Sequence, residues 1–108
     1  MTTAKEIINS LPNRFKADKV DDDLNIVFHF ELSGDDGGEF TVHIKDKTCT
    51  IEEGLIGEAK CNVKAKAKTY AEVELGKTNA QMAFMMGKIK VTNLNAMLKF
   101  ADCFERAY

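Results

Sequence analysis

The chain reads as an α+β domain, a mostly antiparallel five-stranded sheet covered on one face by helices. Three observations predict this. Strict apolar/polar alternation runs through residues 24–33 and resumes at 40–44, the period of strands with one buried face. Capping-box patterns open helices near both ends of the chain. The last third, Asn79-Ala80-Gln81-Met82-Ala83-Phe84-Met85-Met86-Gly87-Lys88-Ile89-Lys90-Val91-Thr92, takes an apolar helix through a glycine into a short basic strand. A second apolar helix follows.

At the amino end Thr3 caps a helix with Glu6 three residues on, and Ala4, Ile7, Ile8, Leu11 and Phe15 fall on one face. Pro12 stops that helix near Leu11 or restarts it after a kink. A charged connector, Asp18–Asp23, leads to the first strand.

There Leu24, Ile26, Phe28, Phe30 and Leu32 point one way and Asn25, Val27, His29, Glu31 and Ser33 the other. After Gly34-Asp35-Asp36-Gly37-Gly38 the alternation returns with Phe40, Val42 and Ile44 inward. A register pairing Phe28 with Ile44, Phe30 with Val42 and Leu32 with Phe40 lets every core residue meet another, and a one-residue slip would destroy it. It implies a three-residue loop, Asp35-Asp36-Gly37, with Gly37 in the left-handed conformation. Across the next turn, Asp46-Lys47, Ile44 meets Cys49 and Val42 meets Ile51.

A fourth strand is expected over Ala59–Lys68, with Ala59, Cys61, Val63, Ala65 and Ala67 inward and lysines mostly outward. Thr69 with Glu72 is a second capping box and Gly76 a terminator; Thr78 with Gln81 is a third, ended by Gly87. Lys88–Thr92 forms the last strand, and Leu94, Met97, Leu98, Ala101 and Phe104 give the last helix an apolar stripe.

Bulk composition narrows the functional classes. A chain of 108 residues with 44% hydrophobic and 30% charged residues fits one domain, spanning 1–108. Its net charge of −2 gives no electrostatic case for nucleic acid. No apolar run approaches the ~20 residues that cross a bilayer, and the amino terminus lacks the apolar core of a secretory signal. The three cysteines have no metal-type spacing, which points to a reducing compartment; the expected location is the cytoplasm.

Several residues invite sharper readings. Met82, Met85 and Met86 with Phe84 concentrate soft, adaptable apolar surface, suited either to filling a core or to accepting a ligand of variable shape. Small alanines along the fourth strand leave room for a cavity or a closely packed helix. His29 and His43 face each other in the expected register, but with only Glu31 nearby they lack the ligand count of a metal site. Solvent-facing histidines are therefore expected. Cys49, Cys61 and Cys103 have no positioned base and read as buried small hydrophobes. Lys60, Lys64, Lys66 and Lys68 form a comb that protects a sheet edge or attracts anionic lipid.

Nearly the whole chain, from about Leu11 to Phe104, resembles the sterol carrier protein type two family. The resemblance rests on Leu11-Pro12 with Phe15, Phe28-His29-Phe30-Glu31-Leu32-Ser33-Gly34, Asp46, Leu75-Gly76-Lys77, and Ala83-Phe84-Met85-Met86-Gly87-Lys88-Ile89-Lys90-Val91. The chain departs from the family pattern at Asp46-Lys47, where Asp-Gly is common, and at Asn93-Leu94, where Gly-Asp or Gly-Asn is. The resemblance implies an apolar tunnel between sheet and helices that takes sterol, fatty acid, fatty acyl-CoA or phospholipid. Carried over by position, its lipid-binding lining is Leu75, Met82, Phe84, Met85, Met86, Ile89, Val91, Leu94, Met97, Leu98, Ala101 and Phe104. Lys77, Lys88 and Lys90 are placed for a headgroup.

The expected function is non-catalytic intracellular binding or transfer of a long-chain lipid, with no cofactor, no metal and no catalytic residues. Transient contact with a membrane surface and a monomeric or homodimeric state accompany it. The competing reading is a protein-interaction module that forms a homodimer or docks on a lipid-metabolising enzyme. An enzyme acting on a lipid or thioester ranks last, for want of a nucleophile with a base.

Overall fold

The computed structural model describes residues 3–34 and 37–104, and the side chains of Ala80, Ala101 and Asp102 lie outside that description. Along it run α1 (Ala4–Asn9), α2 (Leu11–Arg14), a 3-10 turn at Ala17–Lys19, β1 (Asn25–Ser33), β2 (Gly38–Lys45) and β3 (Thr48–Glu53). Then come β4 (Cys61–Lys66), α3 (Ala67–Glu74), α4 (Ala80–Met85), β5 (Ile89–Val91) and α5 (Leu94–Asp102). The α+β class predicted from the sequence is the class observed.

The strands lie in the order β3-β2-β1-β4-β5, with β1 and β4 parallel and the other neighbours antiparallel. The connection from β3 to β4 therefore skips two strands. It runs over the outer face of the sheet, where Ile56 N–H donates to Thr41 Oγ1 at 2.9 Å and Thr41 Oγ1 donates to the Gly54 carbonyl at 2.7 Å. His29 Nε2 donates to the Ile56 carbonyl at 3.0 Å, and Lys60 N–H donates to the Val27 carbonyl at 2.9 Å. This crossing loop buries His29 and Thr41 on the face expected to meet solvent.

The second hairpin has the predicted register, Ile44 opposite Cys49 and Val42 opposite Ile51. The first does not. Ile26 meets Ile44, Phe28 meets Val42, Phe30 meets Phe40 and Leu32 meets Gly38, a two-residue shift from the expected pairing. Because side chains alternate with period two, such a shift leaves the buried face unchanged, and the apolar pattern does not distinguish the two registers. The turn decides. Gly34 takes φ +107°, and a Cβ at Gly37 would sit 2.0 Å from the Leu32 carbonyl oxygen. The left-handed position thus falls on Gly34 rather than Gly37, while Gly37 permits a close backbone approach. Asp35 and Asp36 of the expected loop lie outside the described residues. His29 now faces Thr41 and His43 faces Val27, so the expected histidine pair is absent.

Two helix boundaries also differ. Strand β4 stops at Lys66 and the chain enters α3 directly at Ala67, with Lys66 rather than Thr69 at the N-cap. Alternating lysine and alanine suit either a strand face or a helix, and Ala67 is buried in the core as both readings require. Asn79, not Thr78, caps α4 by accepting from Met82 N–H at 3.1 Å. The first cap is as expected, Thr3 Oγ1 accepting from Glu6 N–H at 3.2 Å, and Pro12 sits in the first turn of the restarted helix α2.

The core lies between one face of the sheet and the helices. Phe28, Phe30, Val42, Ile44 and Val63 meet Ile7, Ile8 and Leu11 from the amino end, Tyr70 from α3 and Phe100 from α5. Phe100 is the hub, its ring 4.6 Å from Phe28, 5.5 Å from Phe30 and 4.7 Å from Phe104. Lys16 N–H donates to the Cys103 carbonyl at 2.8 Å, tying the amino-terminal segment to the end of α5.

Asp46 and Lys47 occupy the β2–β3 turn at φ 53° and 58°, a conformation that costs an ordinary L-residue about 1 kcal/mol or more. The exposed pair between Lys47 Nζ and Asp22 Oδ1 at 3.1 Å offsets little of this. Lys47→Gly is expected to stabilise the fold by about 1 kcal/mol, read as a higher urea midpoint with an unchanged slope.

Candidate functional site

Helix α5 is held to the sheet by one large residue and one small one, and the difference opens a cleft. Ala96 and Phe100 are one turn apart on the buried face, both 4% exposed. Where Phe100 fills the space above Phe28, Ala96 offers only a methyl group. The resulting cleft has a volume of about 290 Å³, near the lower end for a ligand pocket. Its walls are Leu24, Ile26 and Phe28 of the first strand region, Ile44 of β2, and Ala96 and Phe100 of α5. Val20 and Cys103 close the sides, and exposed Lys19, Asp21 and Lys99 stand at the rim. Asn93 positions the helix, its Oδ1 accepting from Ala96 N–H at 3.1 Å. The departure from the family pattern at Asn93-Leu94 therefore leaves a working cap.

The stripe that faces the core is Ala96, Phe100, Cys103 and Phe104, with Met97 half-buried. It is rotated from the predicted stripe, since Leu94 and Leu98 are exposed. Both sets have helical spacing. Phe100 decides between them, because turning it outward would forfeit its contacts with two buried phenylalanines.

Of the twelve residues carried over as a lipid lining, none of the eleven whose side chains are described borders this cleft. Phe104 is buried and packs behind Phe100, and Ile89 is buried on β5. Leu75, Val91 and Met97 are half-buried against the core. Met82, Phe84, Met85, Met86, Leu94 and Leu98 are exposed, and the side chain of Ala101 lies outside the described residues. Leu24, Ile26, Phe28 and Ile44 were legible only as core, since alternation does not separate a residue packed against a helix from one bordering a gap, while Val20, Ala96 and Phe100 had no place in the predicted core.

A second hollow, about 900 Å³, is a lysine-lined groove where the ends of β1 and β4 meet the start of α3 and the turn into β5. Lys64, Lys66, Lys68, Lys88 and Lys90 line it; Lys77 does not.

Ionisable groups inside the protein are few. Burial pushes the Glu74 carboxyl above its ordinary value, and the Arg14 guanidinium at 3.7 Å pulls it partly back. Arg14 is held in turn by Ser10 Oγ, which accepts from its Nε at 3.0 Å. Burial also raises the Tyr70 hydroxyl, which has no hydrogen-bond partner among the described residues. The Cys49 thiol is pushed up to about 12 by burial, with Cys103 adding to the effect, and burial raises Cys61. Cysteines held as thiols are poor nucleophiles. Among the described residues no group of three His, Cys, Asp or Glu side chains could hold a metal ion. No helix among them is long and apolar enough to cross a membrane.

A mixed five-stranded sheet backed by helices, with an apolar cleft under the last helix, defines a small α+β domain with room for an apolar ligand. The model of the SCP-2 sterol transfer family matches residues 6–105, and the chain belongs to that family. Hydroxysteroid dehydrogenase-like protein 2 of Bos taurus is 32% identical over 83 residues, which are 72% of this chain and 20% of that protein. The chain thus spans about a fifth of the length of this relative. Among solved structures, the stereoselective inverting sec-alkylsulfatase Pisa1 from Pseudomonas sp. matches with a TM-score of 0.82 at 16% identity, covering 99% of this chain and 17% of that one. Palmitated SCP2L2 from Aedes aegypti matches with a TM-score of 0.67 at 15% identity, covering 99% of this chain and 100% of that one. Both likenesses are of fold.

Glu74 gives the fold a pH signature. A carboxyl raised on folding binds its proton more tightly in the native state, so stability falls as pH rises from about 4.3, the unfolded value, through the folded one. Glu74→Gln removes this contribution. The stability of the variant relative to wild type is expected to climb with pH across that window and level off above it, measured by urea unfolding at successive pH values.

Proposed function

We propose that the protein binds a long-chain lipid non-catalytically, with the apolar chain seated in the cleft between β1, β2 and α5. The observation that carries this reading is the cleft itself, an apolar recess in the core of a chain belonging to a sterol transfer family. Its volume is about ten times the ~30 Å³ share of a water molecule. It therefore takes part of a long chain, with the remainder reaching the rim, where Lys19 and Lys99 flank a carboxylate or other anionic head.

Affinity comes from removing apolar surface from water at about 25 cal/mol per Å². The walls offer little directional hydrogen bonding, which favours selection by shape and length over selection by functional group. The fold shared with a palmitated protein is consistent with a fatty acyl chain. Phe104, behind Phe100, is proposed to hold the lining in place. The exposed methionines of α4 are proposed below as a lipid contact of another kind.

Native mass spectrometry with organic extraction tests the reading, and Ala96→Phe tests the location. The added ring occupies the space that the methyl group leaves open. Wild type is expected to carry or take up a long-chain fatty acid at one per chain, and Ala96→Phe to lose at least tenfold in affinity while staying folded. Unchanged uptake by a folded Ala96→Phe would move the site away from α5.

A further inference from the structure

We propose that the carboxyl end of α4, together with the lysine groove beside it, is a docking face for an anionic lipid bilayer. The inference goes beyond cargo binding and stands on surface features the cleft does not use.

Met82, Met85 and Met86 are 60%, 77% and 64% exposed. Their i, i+3, i+4 spacing sets them side by side on one face of the helix. The opposite side is anchored by Ala83, which is 1% exposed and whose carbonyl accepts from Lys88 N–H at 2.9 Å across the left-handed Gly87. The fold thus fixes α4 by a small residue and turns its largest apolar side chains to solvent. Water is a poor environment for three adjacent thioethers, and methionine adapts to a surface without fixed shape.

The basic groove starts where this stripe ends. Gly87 and Lys88 border it, and Lys64, Lys66, Lys68 and Lys90 complete a set of five exposed lysines. Glu31, Glu39 and Glu72 also border the groove, and Glu31 pairs with Lys64 at 3.7 Å. Lys64 and Lys90 are direct cross-strand neighbours, a like-charge juxtaposition that disfavours the sheet. Positive charge is therefore gathered here at some cost to folding, in a chain whose net charge is −2.

Apolar side chains beside a lysine cluster match the two layers of an anionic membrane surface, acyl boundary and headgroup charge. A second copy of this chain does not fit as well, since a symmetric contact through the methionines would bring two lysine grooves together.

The test is co-sedimentation of the full chain with vesicles of phosphatidylcholine alone or with about a third phosphatidylserine. Binding is expected only with phosphatidylserine, weakening steeply with salt. Lys66→Glu with Lys68→Glu should weaken it about tenfold or more, Met85→Ser should weaken it severalfold, and Lys45→Glu at the far end of β2 should leave it unchanged. All four positions are exposed, and matched melting curves verify that the variants fold. Equal binding to both vesicle types, or binding that survives the double charge reversal, would overturn the proposal. So would displacement by millimolar inorganic phosphate at constant ionic strength, which marks a small-anion site. A dimer in sedimentation velocity that Met85→Ser dissolves would overturn it in favour of self-association. None of these outcomes depends on the cleft, whose occupancy is read separately by extraction.

Discussion

The packing of Phe100 against Phe28 and Phe30 is the contact on which the rest of the structure depends. It fixes the distance of α5 from the sheet, orients the helix so that Ala96 faces inward, and carries Phe104 into contact with Phe15 at 5.5 Å. A helix held at the spacing of a phenyl ring cannot also close down on a methyl group one turn earlier. The cleft follows from that mismatch. The cleft opens to solvent at its rim, so its apolar walls are wetted when it is empty, and each Å² that a ligand removes from water contributes about 25 cal/mol. The proposed lipid chain would cover these walls, so the packing that defines the core also leaves the apolar surface such a chain needs.

Much of the architecture was legible in the sequence because it depends on local chemistry. The α+β class, the order of elements, the Thr3 cap, the Pro12 restart, the Gly76 and Gly87 terminators and the second hairpin register all follow from spacing and turn residues. Most of the misreadings have one cause: alternatives that satisfy the same local rule. A two-residue slip in the first hairpin preserves the buried face. Alanines and lysines at 65–68 serve a strand or a helix. Two stripes of α5 have helical spacing, and only the Phe28 and Phe30 rings in the fold choose between them. Burial of His29 depends on the loop from β3 to β4, whose path over the sheet has no signature in its own residues.

The candidate site was less legible. Methionine density drew attention to α4, and the family resemblance pointed to the same residues, yet the cleft is lined by strand residues that read as ordinary core and by Ala96 and Phe100, which lay off the predicted stripe of the last helix. Only Ala96, a small residue next to a large one on the same helix face, carries a signal for it. The exposed methionines and the lysine comb are visible in sequence as separate patterns. Their adjacency is a property of the fold, produced by the short Gly87 turn and the pairing of β5 with β4.

The proposed seat of the apolar ligand is under α5 and not on α4. Methyl-resolved NMR with a fatty acid carrying a nitroxide near its methyl end tests it most directly, in the absence of vesicles. Signals from Ile26, Ile44 and Ala96 are expected to broaden at stoichiometric ligand while those of Met82, Met85 and Met86 stay sharp. Broadening of the three methionines ahead of the cleft methyls would contradict it and place the cargo on the surface of α4.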